Sequence, residues 1–399
     1  MKTHSSREAR ILIVVALMLF AALSTPCPAQ PQIHVSTPEV FLSTTQLHKM
    51  GFVYFPDGSI FPGLIQGNIN YFAANGGANN DPLQGTIVLD GNFQPLFHQG
   101  SGQPVASLRS GLLQPPPPDG IPFDSAFDHD YAGGGPVFWD QTSSSLIQIY
   151  HGEYHFNGVA QDFYTSLGLA ISSDEGKTFK KLGLAIRPEL SPDLQMLVPS
   201  SSGTLVQKDG YFYLYYGDRG PTPATGTVDY CHDSTAKVSC LAVARAKIND
   251  VMAAALHGEV APWFKYYQKS FSEPGNGGRF TPLFIPNISQ WVRWPVVRYD
   301  PHTMTLIMVY AAGATGLVLS TSTDGLNWGN PAQIVFAPAN EWINYAGIVT
   351  LNDDVREDET NHSTAAFDVL YEELPIVNNL PNFRERTVMK IHVKLDFAP

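Results

Sequence analysis

The sequence predicts an all-β fold built from repeated groups of short strands. Two similar hairpin motifs, a recurrent alternation of apolar strands with tight polar turns, and a composition rich in turn-forming residues indicate this class. The 399 residues include 34 glycines and 31 prolines, with 12% aromatic and 15% charged residues. One short amphipathic segment, residues 248–256, is the helix that the pattern predicts.

Two motifs mark the tips of predicted β-hairpins. Residues 172–179 read Ser-Ser-Asp-Glu-Gly-Lys-Thr-Phe, and residues 322–328 read Ser-Thr-Asp-Gly-Leu-Asn-Trp, a version one residue shorter. Each motif follows a short apolar run. In such a turn the aspartate accepts hydrogen bonds from backbone amides, the glycine takes a positive φ, and the terminal aromatic residue packs onto the sheet.

A strand, a tight turn, a second strand and a longer connection recur along the chain. Five such units start near residues 63, 133, 197, 291 and 343. A stiff tract with four prolines, residues 114–119, precedes the second unit. We therefore predict a five-bladed β-propeller that forms one domain, residues 30–399, with insertions near 217–239 and 250–282.

The first 29 residues predict export to a secreted or periplasmic location. Three basic residues precede the apolar stretch 11–23, and a region of small residues ends at Ala29, as in a cleaved signal peptide. A retained membrane anchor is disfavoured, because this stretch is shorter than the roughly 20 residues that span a bilayer. In an oxidising compartment we expect Cys231 and Cys240 to form a disulfide bond.

The formal charge of −12 limits the partners of the protein. Cleavage after Ala29 removes three basic residues and one acidic residue, which leaves about −14. No basic run remains, so nucleic acid and anionic membranes are disfavoured as partners. No dense spacing of Asp, His or Cys ligands predicts a metal site, so we expect no cofactor, and a structural cation such as Ca²⁺ stays unassigned.

The two hairpin motifs also carry a resemblance to known families. The first resembles the Asp-box of sialidase-like β-propellers. The second is similar to the S-x-D-G-x-x-W hairpin of five-bladed propeller glycoside hydrolases of the arabinanase, fructosidase and mannoside phosphorylase type. The resemblance implies a carbohydrate substrate and cleavage of a glycosidic bond by two carboxyl groups. A non-catalytic propeller that binds glycans or proteins is the alternative, and a sialidase-like exoglycosidase is disfavoured because no Arg-Ile-Pro strand occurs.

Propeller geometry places the residues before each inner strand and after each second strand on one rim. Polar residues from four predicted blades collect at these positions, in a chain with few charges. They are Asp128, His129, Asp130, His151, Glu153, Asp218, Arg219, Arg293, Glu341 and Tyr345. This clustering predicts a functional site on that rim.

The resemblance implies an aspartate base, a second aspartate and a glutamate acid among these positions. Asp130 is the predicted base, because it precedes a glycine-rich strand start that lets a sugar approach closely. Asp128 or Asp218 would tune the pKa of its neighbour, and Glu153 or Glu341 would protonate the leaving oxygen in an inverting reaction. The predicted substrate contacts are His129, His151, Arg219, Arg293 and Tyr345.

Overall fold

The computed structural model describes most of the predicted domain. The described residues are 30–49, 60–65, 68–75, 85–89, 122–156, 163–176, 178–194, 203–219, 241–286, 293–312, 314–349, 364–382 and 385–397. The predicted signal peptide and the predicted Cys231–Cys240 disulfide lie outside these residues. So does most of the predicted insertion near 217–239.

The strands of the described residues form five antiparallel sheets, numbered in chain order. The described part of the chain begins with β1 (Gln32–Val35), β2 (Glu39–Leu42) and helix α1 (Thr44–Lys49). Sheet 1 contains β3 (Ile60–Ile65), β4 (Asn68–Asn75) and β5 (Gly85–Leu89). Helix α2 (Phe123–Ala126) leads to sheet 2, which contains β6 (Tyr131–Gly133), β7 (Val137–Asp140), β8 (Ser145–His155), β9 (Phe163–Ser172) and β10 (Lys180–Ile186).

The second half of the chain forms the other three sheets. Sheet 3 contains β11 (Thr204–Lys208), β12 (Tyr211–Gly217), β13 (Leu241–Lys247), β14 (Phe264–Tyr267) and β15 (Ser270–Pro274), with helix α3 (Ile248–Leu256) between β13 and β14. Sheet 4 contains β16 (Arg293–Asp300), β17 (Thr305–Ala311), β18 (Gly316–Ser322) and β19 (Ala332–Phe336). Sheet 5 contains β20 (Glu341–Val349), β21 (Thr364–Val377), β22 (Leu380–Pro381) and β23 (Thr387–Asp396), and it is joined by β1 and β2.

Neighbouring sheets pack against each other in a propeller arrangement. Sheets 2 and 3 share one buried core, sheets 3 and 4 share a second, and sheets 4 and 5 share a third. Strand β3 contacts β7 on one side and β20 on the other, so sheet 1 lies between sheets 2 and 5. Sheets 2 to 5 are four blades of four or more strands, whereas sheet 1 has three strands in the described residues. The predicted propeller is confirmed, and the count of five blades stays a prediction.

Both ends of the described chain meet in sheet 5. Strands β1 and β2 each pair antiparallel with β23, with Gln32 opposite Asp396 and Glu39 opposite Lys390. The N-terminal residues therefore form the outer edge of the last blade. The sequence patterns did not predict this pairing.

The segment predicted as an insertion near 250–282 contributes to sheet 3. Helix α3 agrees with the predicted amphipathic segment, and it buries Val251, Met252 and Ala255 in the core between sheets 2 and 3. Strand β14 then pairs with β13, and β15 pairs with β14, which widens the blade.

In the part of the chain that the structure describes, no helix is long and apolar enough to cross a bilayer.

The first hairpin motif has the predicted turn geometry. Asp174 accepts hydrogen bonds from the backbone N–H of Thr178 at 2.9 Å and from its hydroxyl at 2.7 Å. Gly176 has a φ of 87°, and Phe179 is fully buried. The turn joins β9 to β10 and lies beside the start of β8, away from the end of β8. Its hydrogen bonds and the buried Phe179 stabilise the blade.

The second hairpin motif repeats this arrangement between β18 and β19. Asp324 accepts hydrogen bonds from the backbone N–H groups of Leu326 and Asn327, both at 2.8 Å. Gly325 has a φ of 74°, and Trp328 is buried between sheets 3 and 4. The same turn geometry therefore stabilises two blades.

We expect Gly325→Ala to lower the free energy of unfolding by more than Gly210→Ala does. The two glycines have a similar φ, 74° and 77°, so each alanine incurs a similar strain of about 1–2 kcal/mol. A Cβ at position 325 would lie 2.2 Å from the hydroxyl oxygen of buried Tyr215, whereas a Cβ at position 210 meets nothing within 4 Å. This overpacking should lower the free energy of unfolding of Gly325→Ala by a further amount of about 1–3 kcal/mol. Denaturant unfolding measures the loss of stability in both variants. Equal losses would contradict the close contact between position 325 and Tyr215.

Candidate functional site

Polar side chains of sheet 2 gather where β6 begins and β8 ends. The turn before β6 supplies His129 and Asp130. Strand β8 supplies His151, Glu153 and His155, which alternate along the strand and so share one face. Because β6 pairs with the end of β8, these five residues, the sheet 2 cluster, lie side by side on the predicted rim.

Gly152 lets the turn before β6 approach β8 closely. A Cβ at this position would lie 2.8 Å from the Cβ of Asp128 and 2.8 Å from the ring of Phe127. The backbone N–H of Asp130 donates to the carbonyl of Glu153 at 3.1 Å. The small residue in β8 thus places the Asp130 side chain against the end of the strand.

Asp130 is almost fully enclosed, with a side chain that is 3% exposed. Its Oδ2 accepts a hydrogen bond from the backbone N–H of His155 at 2.7 Å. Its Oδ1 lies 3.1 Å from Nδ1 of His129, whose side chain is 21% exposed. The ring of Tyr154 lies 6.2 Å from the His129 ring, and burial together with Asp130 raises the pKa of Tyr154. A buried carboxyl group is therefore joined to an imidazole that reaches solvent.

Glu153 lies between two buried histidines. Its Oε1 is 2.9 Å from Nε2 of His151, and its Oε2 is 2.8 Å from Nε2 of His155. Burial alone would raise the pKa of Glu153, but the hydrogen bonds from the two imidazoles lower it to about 2. A carboxyl group that stays ionised at so low a pH has no proton to donate near neutral pH. Glu153 is thus poorly suited to the acid role that the sequence allowed.

The Asp128 side chain turns to the other face of β8. It accepts a hydrogen bond from the Tyr150 hydroxyl at 2.9 Å and pairs with Lys181 of β10 at 2.7 Å. Tyr150 alternates with the cluster residues along β8 and so lies on the opposite face. The two neighbouring aspartates, Asp128 and Asp130, therefore have separate partners.

Asp218 follows β12 and belongs to a second cluster of buried polar side chains. Its Oδ2 accepts hydrogen bonds from Nζ of Lys265 at 2.6 Å and from the Tyr216 hydroxyl at 2.9 Å. Its Oδ1 accepts hydrogen bonds from the backbone N–H of Arg219 at 2.7 Å and of Glu189 at 3.0 Å. The Asp218 and Lys265 side chains are both 0% exposed. Asp218 therefore links two rim loops and has no surface with which to touch a substrate.

Glu189 is a rim carboxyl group that the sequence analysis missed. It lies in the connection from β10 to β11, and its carboxyl group accepts a hydrogen bond from the Phe280 N–H at 3.4 Å. Burial raises the pKa of Glu189, and the neighbouring Asp218 raises it further. The position of Glu189 before the inner strand β11 is the signal in the sequence that could have identified this residue.

Glu341 begins β20, the inner strand of sheet 5. Ile343 lies opposite Glu373 of β21, so Glu341 and Glu373 are diagonal neighbours on one face. Burial raises the pKa of Glu341. Burial also raises the pKa of Glu373. The hydrogen bond from the Tyr371 hydroxyl lowers this pKa, and the negative charge of Glu341 raises it.

The remaining predicted contacts have different environments. Arg219 is buried, and its carbonyl accepts the N–H of Leu190 at 2.9 Å. Tyr345 is buried in β20 with a φ of 36°. Arg293 begins β16, and its side chain is outside the described part of the structure.

The structure thus brings four predicted residues into the sheet 2 cluster: His129, Asp130, His151 and Glu153. Asp218 and Arg219 form a second group, and Glu341 and Tyr345 lie at the start of β20. In the described residues, no group of three His, Cys, Asp or Glu side chains is arranged to hold a metal ion.

Comparisons with known proteins found similarity in solved structures. No family model matches the sequence, and no curated protein matches it either. An N-acetylgalactosamine deacetylase from F. plautii is 12% identical, with 86% of this chain and 90% of that chain covered and a TM-score of 0.45. The arabinanase of Bacillus subtilis is 10% identical, with 84% and 93% covered and a TM-score of 0.43. The GH43_1 enzyme of Xanthomonas citri, solved with xylose, is 11% identical, with 94% and 92% covered and a TM-score of 0.44.

Proposed function

We propose that the protein is a glycoside hydrolase with its active site on the rim that carries the sheet 2 cluster and Glu341. The observation that supports this most is the Asp130–His129 pair. Its carboxyl group is buried and held by a backbone amide, and its imidazole reaches solvent. A fixed proton acceptor on an open rim is a requirement of hydrolysis by acid and base.

Hydrolysis with inversion needs one group that takes a proton from water and another that gives a proton to the leaving oxygen. We assign the accepting side to Asp130 together with its bonded His129. We assign the donating side to Glu341, which begins the inner strand β20 and whose pKa is raised by burial.

Hydrolysis assays test the proposed function directly. The exported protein would be assayed against plant and microbial polysaccharides and a series of aryl glycosides, and released reducing sugar or aryl alcohol would be measured. We expect turnover of at least one carbohydrate, and we expect Asp130→Asn to lower that turnover by about 10²–10⁴-fold. Turnover that survives in Asp130→Asn at the rate of the parent protein would contradict the assignment of the site.

Aryl glycosides with different leaving groups distinguish the two predicted acids. We expect Glu341→Gln to lower kcat by about 10²–10⁴-fold on substrates with poor leaving groups. On substrates with good leaving groups the loss should be far smaller, because these need little protonation. Glu153→Gln should lower kcat to a similar extent on both substrate types, because its ionised carboxyl group positions His151 and His155. A leaving-group dependence in Glu153→Gln would reverse the assignment.

A glycan-binding propeller without catalysis is the second candidate. Both carboxyl oxygens of Asp130 already have hydrogen-bond partners, and its side chain is nearly enclosed, which favours a structural role for this residue. Equilibrium binding to the same glycans decides between the two. Tight binding by the parent protein with no turnover would support the binding protein.

Three further proposals concern architecture and location. We take sheet 1 as the fifth blade, and its place between sheets 2 and 5 supports this. We also propose that residues 1–29 are removed on export and that Cys231 and Cys240 then form a disulfide bond. The N-terminal sequence of the exported protein and its mass before and after reduction test these two points.

A further inference from the structure

We infer that His129 is the catalytic base that takes the proton from the attacking water, and that Asp130 is a positioning residue that holds the imidazole. The inference rests on the proposed hydrolase function, and it identifies the His129 imidazole as the group that contacts the attacking water. It assigns to His129 a different role from the substrate contact that the sequence predicted.

The first reason is that the Asp130 carboxyl group has almost no surface with which to contact a water molecule. One oxygen accepts the backbone N–H of His155, and the other contacts Nδ1 of His129. The side chain of Asp130 is 3% exposed, whereas that of His129 is 21% exposed. The part of the pair that faces solvent is therefore the imidazole.

The second reason is the tautomer that Asp130 imposes. A carboxylate accepts hydrogen bonds, so Nδ1 of His129 carries the proton and Nε2 keeps a lone pair. Within the described residues, Nε2 of His129 has no hydrogen-bond partner. The Nε2 atoms of His151 and His155 both contact Glu153, and their side chains are 3% and 4% exposed. Of the three histidines in the cluster, His129 is the one with a nitrogen available to a substrate water.

The oxygen of water bonds to the anomeric carbon while Nε2 of His129 takes one of its protons. The bond from that carbon to the leaving oxygen breaks, and the leaving oxygen takes both bonding electrons and the proton of Glu341. His129 becomes an imidazolium that Asp130 stabilises, and Glu341 becomes a carboxylate. Proton exchange with solvent restores both groups.

Replacing the imidazole tests the step. We expect His129→Ala to lower kcat by about 10²–10⁴-fold and added imidazole to restore part of the rate, because a free imidazole can occupy the vacated space and accept the proton. The matched control is His392→Ala. His392 forms the same type of pair with Asp368, at 2.9 Å, on the outside of sheet 5. This control should keep the kcat of the parent protein and should not respond to imidazole.

The ¹⁵N resonances of the imidazole give a second readout that does not depend on activity. We expect Nε2 of His129 to carry no proton in the neutral ring, and Asp130→Asn to increase the Nε2–H form, because an amide can donate to Nδ1. A neutral ring protonated at Nε2 in the parent protein would overturn the inference. So would a His129→Ala variant that keeps kcat within a few-fold while Asp130→Asn loses it, because Asp130 would then be the base itself. If the parent protein cleaves no glycoside, the proposed function fails, and the catalytic role of His129 fails with it.

Discussion

Asp130→Asn should lower kcat by about 10²–10⁴-fold while the protein stays folded. The amide keeps the size of the carboxyl group, and its oxygen can still accept the His155 N–H that bonds Asp130 at 2.7 Å. The neutral amide cannot supply the negative charge that stabilises the imidazolium form of His129. Steady-state kinetics on the best substrate and circular dichroism of both proteins measure the two parts of this expectation.

Asp193→Asn is the matched control for this variant. Asp193 lies in a short 3-10 helix on the same rim, and its carboxyl group is exposed and accepts a hydrogen bond from Ser191 at 2.9 Å. We expect its kcat to remain within a few-fold of the parent value. If both variants lose the same activity, the loss reflects the charge of the rim and does not identify Asp130.

Lys265→Met should lower the free energy of unfolding by about 3–5 kcal/mol, because it leaves the buried Asp218 without its cation. Both side chains are fully buried, with Nζ of Lys265 at 2.6 Å from the carboxyl group. Burial lowers the pKa of Lys265, and the attraction to Asp218 opposes this change. Denaturant unfolding of the variant measures the loss.

Two further variants show whether the loss comes from the uncompensated charge. Lys390→Met removes a cation that lies 2.7 Å from Glu39, which is 62% exposed, and should cost about 0–1 kcal/mol. Adding Asp218→Asn to Lys265→Met should recover part of the loss, because a neutral amide needs no cation. A double variant less stable than Lys265→Met would show that packing, and not charge, dominates at this position.

The hairpin turns could be predicted from the sequence because their interactions are local. Asp174 and Asp324 bond groups within four residues along the chain, so the motif itself contains these partners. Strands β14 and β15 were harder to predict, because the usual alternation is reversed there. Phe264 is 43% exposed, whereas Lys265 is fully buried. A pattern that expects apolar residues inside does not identify such a strand.

The positions of the candidate residues in the blades could be predicted, but their hydrogen-bond partners could not. Blade geometry was sufficient to place Asp130 and Glu341 at the starts of inner strands. The spacing His-x-Glu-x-His on β8 was visible, and it would have indicated that Glu153 is ionised, since alternate residues share a face. Burial raises the pKa of Glu189, and Asp218 raises it further, but Asp218 is distant in sequence and is bound to Lys265 of another segment.

The pairing of β1 and β2 with β23 has a consequence for how the chain folds. Residue 32 meets residue 396, so the last blade is complete only when these two distant segments have both been made and brought together. Contacts this distant in sequence form late, since closing so long a loop costs entropy before the contact is gained. Until then β23 presents an unpaired edge, which can pair with another chain and lead to aggregation. We therefore expect the yield on refolding to fall as protein concentration rises, and a chain that begins after residue 42 to aggregate at concentrations at which the longer chain refolds.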